Sequence, residues 1–136
     1  MTTLAPVAPL RSPCPPGACD CGRESLLETP GTDLRILRLT RDQEKILLAR
    51  LEQLKDLADL RHLQTRMYEQ LGMRVEVAPG FHEVRSMQGI EIQIEKLPGL
   101  CRKTRKAIPA AIRRGLNNDP KIAFELLNAH DLLRDT

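Results

Sequence analysis

Aromatic side chains are almost missing from this chain of 136 residues, which has one Tyr, two Phe and no Trp. A core without them has to be built from Leu, Ile, Val and Ala, which suits packed helices better than a β-sandwich. The hydrophobic fraction of 41% is enough for such a core, and the length fits one domain. The scarcity of aromatics also argues against a platform that stacks single-stranded nucleic-acid bases.

Long apolar runs are missing as well, so the sequence predicts no transmembrane helix and no contact with a membrane. Residues 1–10, MTTLAPVAPL, lack the basic start and the apolar stretch of a secretory signal, and we therefore expect a cytoplasmic protein. The sequence contains no phosphate-binding glycine loop, nucleotide fingerprint or nucleophile elbow. We accordingly expect a protein that is not an enzyme.

The pattern of residues that are present predicts an α+β fold. Residues 1–33 are rich in Pro, Gly, Thr and Ser without sustained periodicity, so we interpret them as an irregular, cysteine-bearing arm before a single domain over residues 34–136. Apolar and polar residues alternate within 73–95, which predicts a small antiparallel sheet of two or three strands. C-terminal helices follow, and Pro109 predicts a kink or a restart in the first of them.

A long helix is predicted between the arm and the sheet. Thr40 and Gln43 have the spacing of a capping box, and Gly72 suits the left-handed residue that ends many helices. Between them, apolar residues recur about every 3.4 positions, close to the repeat of a coiled coil. A single helix over residues 40–72 needs a partner along its length. Either the later helices of the same chain cover it, or it forms a homodimer.

The cysteines are unusual in their placement. Cys14, Cys19 and Cys21 form a C-x4-C-x-C cluster interrupted by proline and glycine, and the fourth cysteine, Cys101, lies far along the chain. In a reducing compartment, such a cluster indicates metal binding or redox chemistry before a structural disulfide. Four thiolates complete an iron–sulfur or a zinc site. We therefore predict a small metal-binding protein for electron transfer, sensing or assembly, with these four cysteines as ligands.

The spacing leaves several uses of the cluster open. Its first gap resembles that of plant-type ferredoxins, and its three-plus-one layout is similar to that of some bacterial iron–sulfur transcriptional sensors; both resemblances imply an iron–sulfur cluster. Zinc is the alternative cofactor, and three histidines are further sources of a fourth ligand: His62, His82 and His130. The remaining alternatives are a redox dithiol of Cys19 and Cys21, an exposed reduced tail, and a Cys101 that is only a small buried hydrophobic residue.

Basic residues concentrate in one segment. Residues 100–118 carry six basic residues and no acidic one, whereas no other part of the chain has a comparable excess. The stretch LPGLCRKTRKAI also resembles the second half of a helix-hairpin-helix motif, which implies contact between backbone amides and a nucleic-acid phosphate. The alternative function is therefore a dimeric helical protein that contacts nucleic acid or an acidic partner through residues 102–114, and a solvated basic surface is the simplest interpretation. The candidate binding residues are Arg102, Lys103, Arg105, Lys106, Arg113 and Arg114.

Overall fold

A computed structural model describes residues 11, 21–79 and 90–129 of the chain. In this part of the molecule, helices pack with a two-stranded antiparallel sheet, which confirms the predicted α+β class. The elements in chain order are α1 (Arg23–Glu28), a 3₁₀ turn (Arg35–Arg38), α2 (Arg41–Leu51), α3 (Leu57–Leu71), β1 (Val75–Pro79), β2 (Ile90–Ile94), α4 (Arg102–Asn118) and α5 (Pro120–Ala129). None of these helices is long and apolar enough to cross a membrane.

The prediction of one long helix over residues 40–72 is wrong, because the segment forms the two helices α2 and α3. The two predicted ends are confirmed: the Thr40 hydroxyl accepts a hydrogen bond from the Gln43 amide at 3.3 Å, and Gly72 has a φ of 71°. The interruption comes from Asp56, whose carboxylate accepts from the Asp59 amide at 2.7 Å and so caps α3. The leucine repeat continues across the interruption and therefore does not reveal it.

The carboxylate of Asp59 fixes the junction between α2 and α3. It accepts a hydrogen bond from the Arg50 guanidinium at the end of α2 and another, at 3.0 Å, from the Lys55 amide in the connecting segment. One side chain on α3 therefore holds both the last turn of α2 and the link between the helices. This ion pair also lowers the pKa of the Asp59 carboxyl, mainly through the hydrogen bond from Arg50.

Partners within the same chain cover part of the apolar surface of each helix. Helix α2 packs on α4, whereas α3 packs on the 3₁₀ turn, α5 and β1. The buried side chains of the two helices and their link are Leu51, Leu54, Leu60 and Met67. The predicted homodimer through residues 40–72 depended on one continuous helical seam, and the described residues do not contain that seam.

The sheet pairs β1 with β2 in an antiparallel register that places Val75 opposite Ile94 and Val77 opposite Ile92. Val75, Val77 and Ile90 are buried, as the alternating pattern predicts, and β2 packs on α4. The turns predicted at Pro79-Gly80 and Gln88-Gly89 fall on the connection over residues 80–89, which lies outside the described residues.

Helix α4 continues through Pro109, so the predicted restart is wrong. Proline has no amide hydrogen, and the Arg105 carbonyl consequently lacks its helical donor at this position. Ile108, Ala111 and Ile112 are completely buried on either side of the proline. Their burial holds the helix against the core and offsets the missing hydrogen bond.

The structure also differs from the predicted irregular arm at residues 23–28, which form helix α1. Leu26 of this helix is 5% exposed and belongs to the main hydrophobic core. The end of the arm is therefore attached to the domain by packing as well as by the covalent chain.

We predict that Gly115→Ala destabilises the fold at the crossing of α2 and α4. A Cβ at Gly115 would overlap the Leu51 carbonyl oxygen and press on the Leu54 side chain. The strain should exceed the gain in helix propensity and lower the free energy of unfolding by about 1–3 kcal/mol, measured by urea denaturation. Asn117→Ala, on the exposed side of the same helix, is the control and should be neutral or slightly stabilising. A stabilised Gly115→Ala protein would contradict this packing.

We predict that Asp59 contributes to the acid sensitivity of the fold. Its folded-state pKa lies below the ordinary value of about 3.9, so its ion pair stabilises the fold above that pH, and the stabilisation is lost as the pH falls toward the folded-state pKa. Asp59→Asn should lower the free energy of unfolding at pH 7 by up to about 1 kcal/mol and should flatten its dependence on pH between about 5 and 3. Urea denaturation at each pH measures both effects. Glu69→Gln, an exposed change on α3, should leave the pH profile unaltered.

Candidate functional site

Two of the four predicted ligands lie in the described part of the chain. Neither Cys21 nor Cys101 forms a disulfide with a described residue, and both are half-buried. Cys14 and Cys19 lie outside the described residues, as do two of the three histidines, His82 and His130. Within the described residues, no group of three or more Cys, His, Asp and Glu side chains is arranged to hold a metal ion.

A backbone hydrogen bond brings the end of the arm to the position of the distant cysteine. The Gly99 amide donates to the Cys21 carbonyl oxygen at 2.7 Å, and Gly99 stands two residues before Cys101. The last cysteine of the cluster and Cys101 are thus brought to neighbouring parts of the fold, although 80 positions separate them in the sequence. We call this hydrogen bond the clip.

The turn that carries the clip is fixed by the core. Gly99 has a φ of 90°, and a Cβ at this position would lie 2.8 Å from side-chain atoms of both Ile36 and Leu26. Leu100, the next residue, is buried in the same core. The backbone that leads into Cys101 therefore has a defined position before any ligand binds.

Arg11 anchors the other end of the cysteine cluster. Its amide donates to the Leu37 carbonyl at 2.6 Å, and its carbonyl accepts from the Arg23 guanidinium at 3.2 Å. Its own guanidinium lies 3.4 Å from the Cys21 sulfur, to which it donates. Arg11 and Cys21, the two described residues on either side of 12–20, therefore lie next to each other.

One polar atom of Arg11 has no partner. Its Nε is buried and donates to no acceptor in the described part of the chain. An unsatisfied buried donor costs on the order of 1–3 kcal/mol. A thiolate or a sulfide near Cys21 is the kind of anionic acceptor that would satisfy it.

The start of α4 adds positive charge on the other side of the clip. Cys101 occupies the N-cap position of this helix, its side chain does not cap the helix, and the first turn contains no acidic residue. The residues that follow include four cations: Arg102, Lys103, Arg105 and Lys106. A helix N-terminus already carries a partial positive charge, so cations there are unfavourable unless an anion lies nearby. The charge of this region therefore suits an anionic thiolate centre.

The predicted basic surface over residues 102–114 divides into two parts. Lys103 and Lys106 are exposed near the start of α4, whereas Arg113 donates to the Ile90 carbonyl at 2.8 Å and Arg114 pairs with Glu52. The last two arginines therefore take part in contacts that hold α4 to β2 and to the end of α2. Residues 90–94 form β2, so the helix-hairpin-helix resemblance lacks a helix before the turn.

Sequence reasoning did not identify Arg11, since no spacing rule connects it to the cysteine cluster that follows it. His62, the one described histidine, lies on α3 in a groove that neither Cys21 nor Cys101 lines. No family model, curated protein or solved structure matches this chain, and the candidate site therefore depends on its own chemistry and geometry.

Proposed function

We propose that this protein binds an iron–sulfur cluster or zinc through Cys14, Cys19, Cys21 and Cys101 and serves in electron transfer, sensing or assembly without catalysing a reaction. The observation that carries the proposal is the clip between the Gly99 amide and the Cys21 carbonyl. It brings together two segments whose cysteines are far apart in the sequence, which is what a three-plus-one ligand set requires.

The chemistry of the surrounding residues fits such a centre. Thiolates are soft ligands that favour iron–sulfur clusters and zinc over magnesium or calcium. Four of them give the centre a net negative charge, which the Arg11 guanidinium and the N-terminus of α4 would partly neutralise. The hydrogen bond that Cys21 accepts from Arg11 would also orient the thiolate and tune its strength as a ligand.

A metal at this position would join the arm to the start of α4. Metal binding would then stabilise the folded state and would alter how the basic first turn of α4 is presented to a partner. This coupling would allow sensing, because loss of the metal would remove the link between the arm and the helix that carries Lys103 and Lys106.

We predict that protein purified without air contains either iron with acid-labile sulfide or close to one zinc per chain. Cys101→Ser and Cys21→Ser should each lose most of this metal, because each removes a ligand from one shared site. Elemental analysis, sulfide assay and the absorption spectrum measure the outcome. Chelation should also lower the melting temperature of the wild-type protein and should have little effect on either variant.

His62→Ala is the matched control for these variants and should retain the wild-type metal content. It also tests whether a histidine on α3 supplies the fourth ligand in place of Cys101. A colourless wild-type protein without stoichiometric zinc would contradict the proposal. Full metal content in Cys101→Ser would contradict the assignment of Cys101.

The exposed cations of α4 support a second candidate function, contact with nucleic acid or an acidic partner. If this surface binds phosphates, Lys103→Glu combined with Lys106→Glu should weaken binding to a DNA or RNA oligonucleotide by about ten-fold or more, and added salt should weaken binding by the wild-type protein. Fluorescence anisotropy at several salt concentrations measures both effects.

Arg114→Gln separates the two parts of the basic segment. Arg114 is paired with Glu52, so its loss should affect the free energy of unfolding more than nucleic-acid affinity. Absence of binding at low salt, or an equal loss of affinity in Arg114→Gln, would contradict a phosphate-binding surface at Lys103 and Lys106.

A further inference from the structure

A groove of about 810 Å³ lies between α2 and α3, away from the cysteines. The two helices pack on different elements of the core, α2 on α4 and α3 on the 3₁₀ turn, α5 and β1. The walls of the groove include six apolar side chains, which are Leu39, Ile46, Leu47, Leu63, Met67 and Leu71. Ile46 is 63% exposed, so the groove is open to solvent along α2 and is not an enclosed small-molecule cavity.

The apolar residues on α3 are spaced to receive a helix. Leu63, Met67 and Leu71 follow one another every four residues along about 12 Å of α3, or somewhat more than two helical turns. Met67 is buried in the core, so the accessible part of this ridge is formed by the half-buried Leu63 and Leu71. Ile46 and Leu47 of α2 form the opposite wall. A groove of this kind accepts the apolar side of an amphipathic helix, whose contacts recur every three or four residues.

The charges around the groove have one sign. Arg38, Arg50 and Arg66 line it together with His62, and no acidic residue does. Arg50 is paired with Asp59. Arg38 and Arg66 form no ion pair with a carboxylate in the described part of the chain, although Arg38 is near enough to Asp33 to help lower the pKa of that carboxyl. The side chain of Arg66 instead lies 2.6 Å from the side-chain amide of Gln70, which leaves its charge uncompensated.

We propose that this groove binds an acidic amphipathic helix of a partner protein. Leucine-type side chains of the partner would cover the ridge on α3, and carboxylates beside them would pair with Arg38 and Arg66. A second copy of this chain is a poor occupant, because a symmetric dimer through the groove would set the unpaired arginines of one copy against those of the other. The site is separate from the proposed metal centre and does not depend on it.

The test uses the full chain and a fluorescein-labelled synthetic helix of about 14 residues, with leucines on one side and glutamates beside them. Fluorescence anisotropy should show binding with a Kd in the micromolar range. Arg66→Glu and Ile46→Asp should each raise that Kd by about ten-fold or more, the first by charge repulsion and the second by placing a carboxylate on the apolar wall. Both residues are exposed, so circular dichroism should show an unchanged fold.

Two controls test whether the groove and its charge account for the binding. Lys121→Glu makes the same reversal of charge on the exposed side of α5, outside the groove, and should change the Kd by less than about two-fold. A peptide with lysines in place of the glutamates should bind at least about ten-fold more weakly than the acidic peptide.

Three results would overturn the proposal. The first is no binding of the acidic peptide at about 100 µM, and the second is equal affinity for the acidic and basic peptides. The third is a wild-type dimer in sedimentation that Ile46→Asp converts to monomer, which would identify a second copy as the occupant. Metal content in Arg66→Glu should equal that of the wild type, so failure of this proposal is distinguishable from failure of the proposed metal site.

Discussion

The hydrogen bond between the Gly99 amide and the Cys21 carbonyl is the constraint on which the proposed site depends. The core fixes the backbone at this point, because Gly99 lies against Ile36 and Leu26 in a conformation that favours glycine. The same core holds Leu26, five residues after Cys21. Packing of aliphatic side chains thus determines where the backbone at Cys21 and the backbone leading into Cys101 lie.

Electrostatics then distinguishes this region from the rest of the surface. The Arg11 guanidinium donates to the Cys21 sulfur, and α4 begins with cations at its positive end. Each of these features is unfavourable or unsatisfied by itself: Arg11 Nε is buried and has no acceptor among the described residues, and the cations oppose the helix dipole. An anionic thiolate centre would resolve both. Near the other end of α4, Arg113 and Arg114 contact β2 and Glu52. The basic residues of this helix therefore do not form one continuous positively charged surface.

Periodicity predicted the fold class, the two strands and the caps at Thr40 and Gly72, because each depends on residues close together in the sequence. It did not predict the break between α2 and α3, since Asp56 is inconspicuous within a leucine repeat whose buried positions continue through Leu54. Likewise, the cysteine spacing indicated a ligand set but not the clip, which joins backbone atoms of residues 78 positions apart. Contacts between residues so far apart in the sequence depend on how the whole core packs, and a local sequence pattern does not predict them.

The most direct test of this account is the alkylation rate of each cysteine, measured by mass spectrometry on protein prepared without air, before and after removal of the metal. A ligand thiolate is shielded by its metal, so Cys21 and Cys101 should be protected together in the loaded protein and should react together once a chelator has removed the metal. A Cys101 that reacts at the same rate in both states would contradict the claim that the clip completes one shared site.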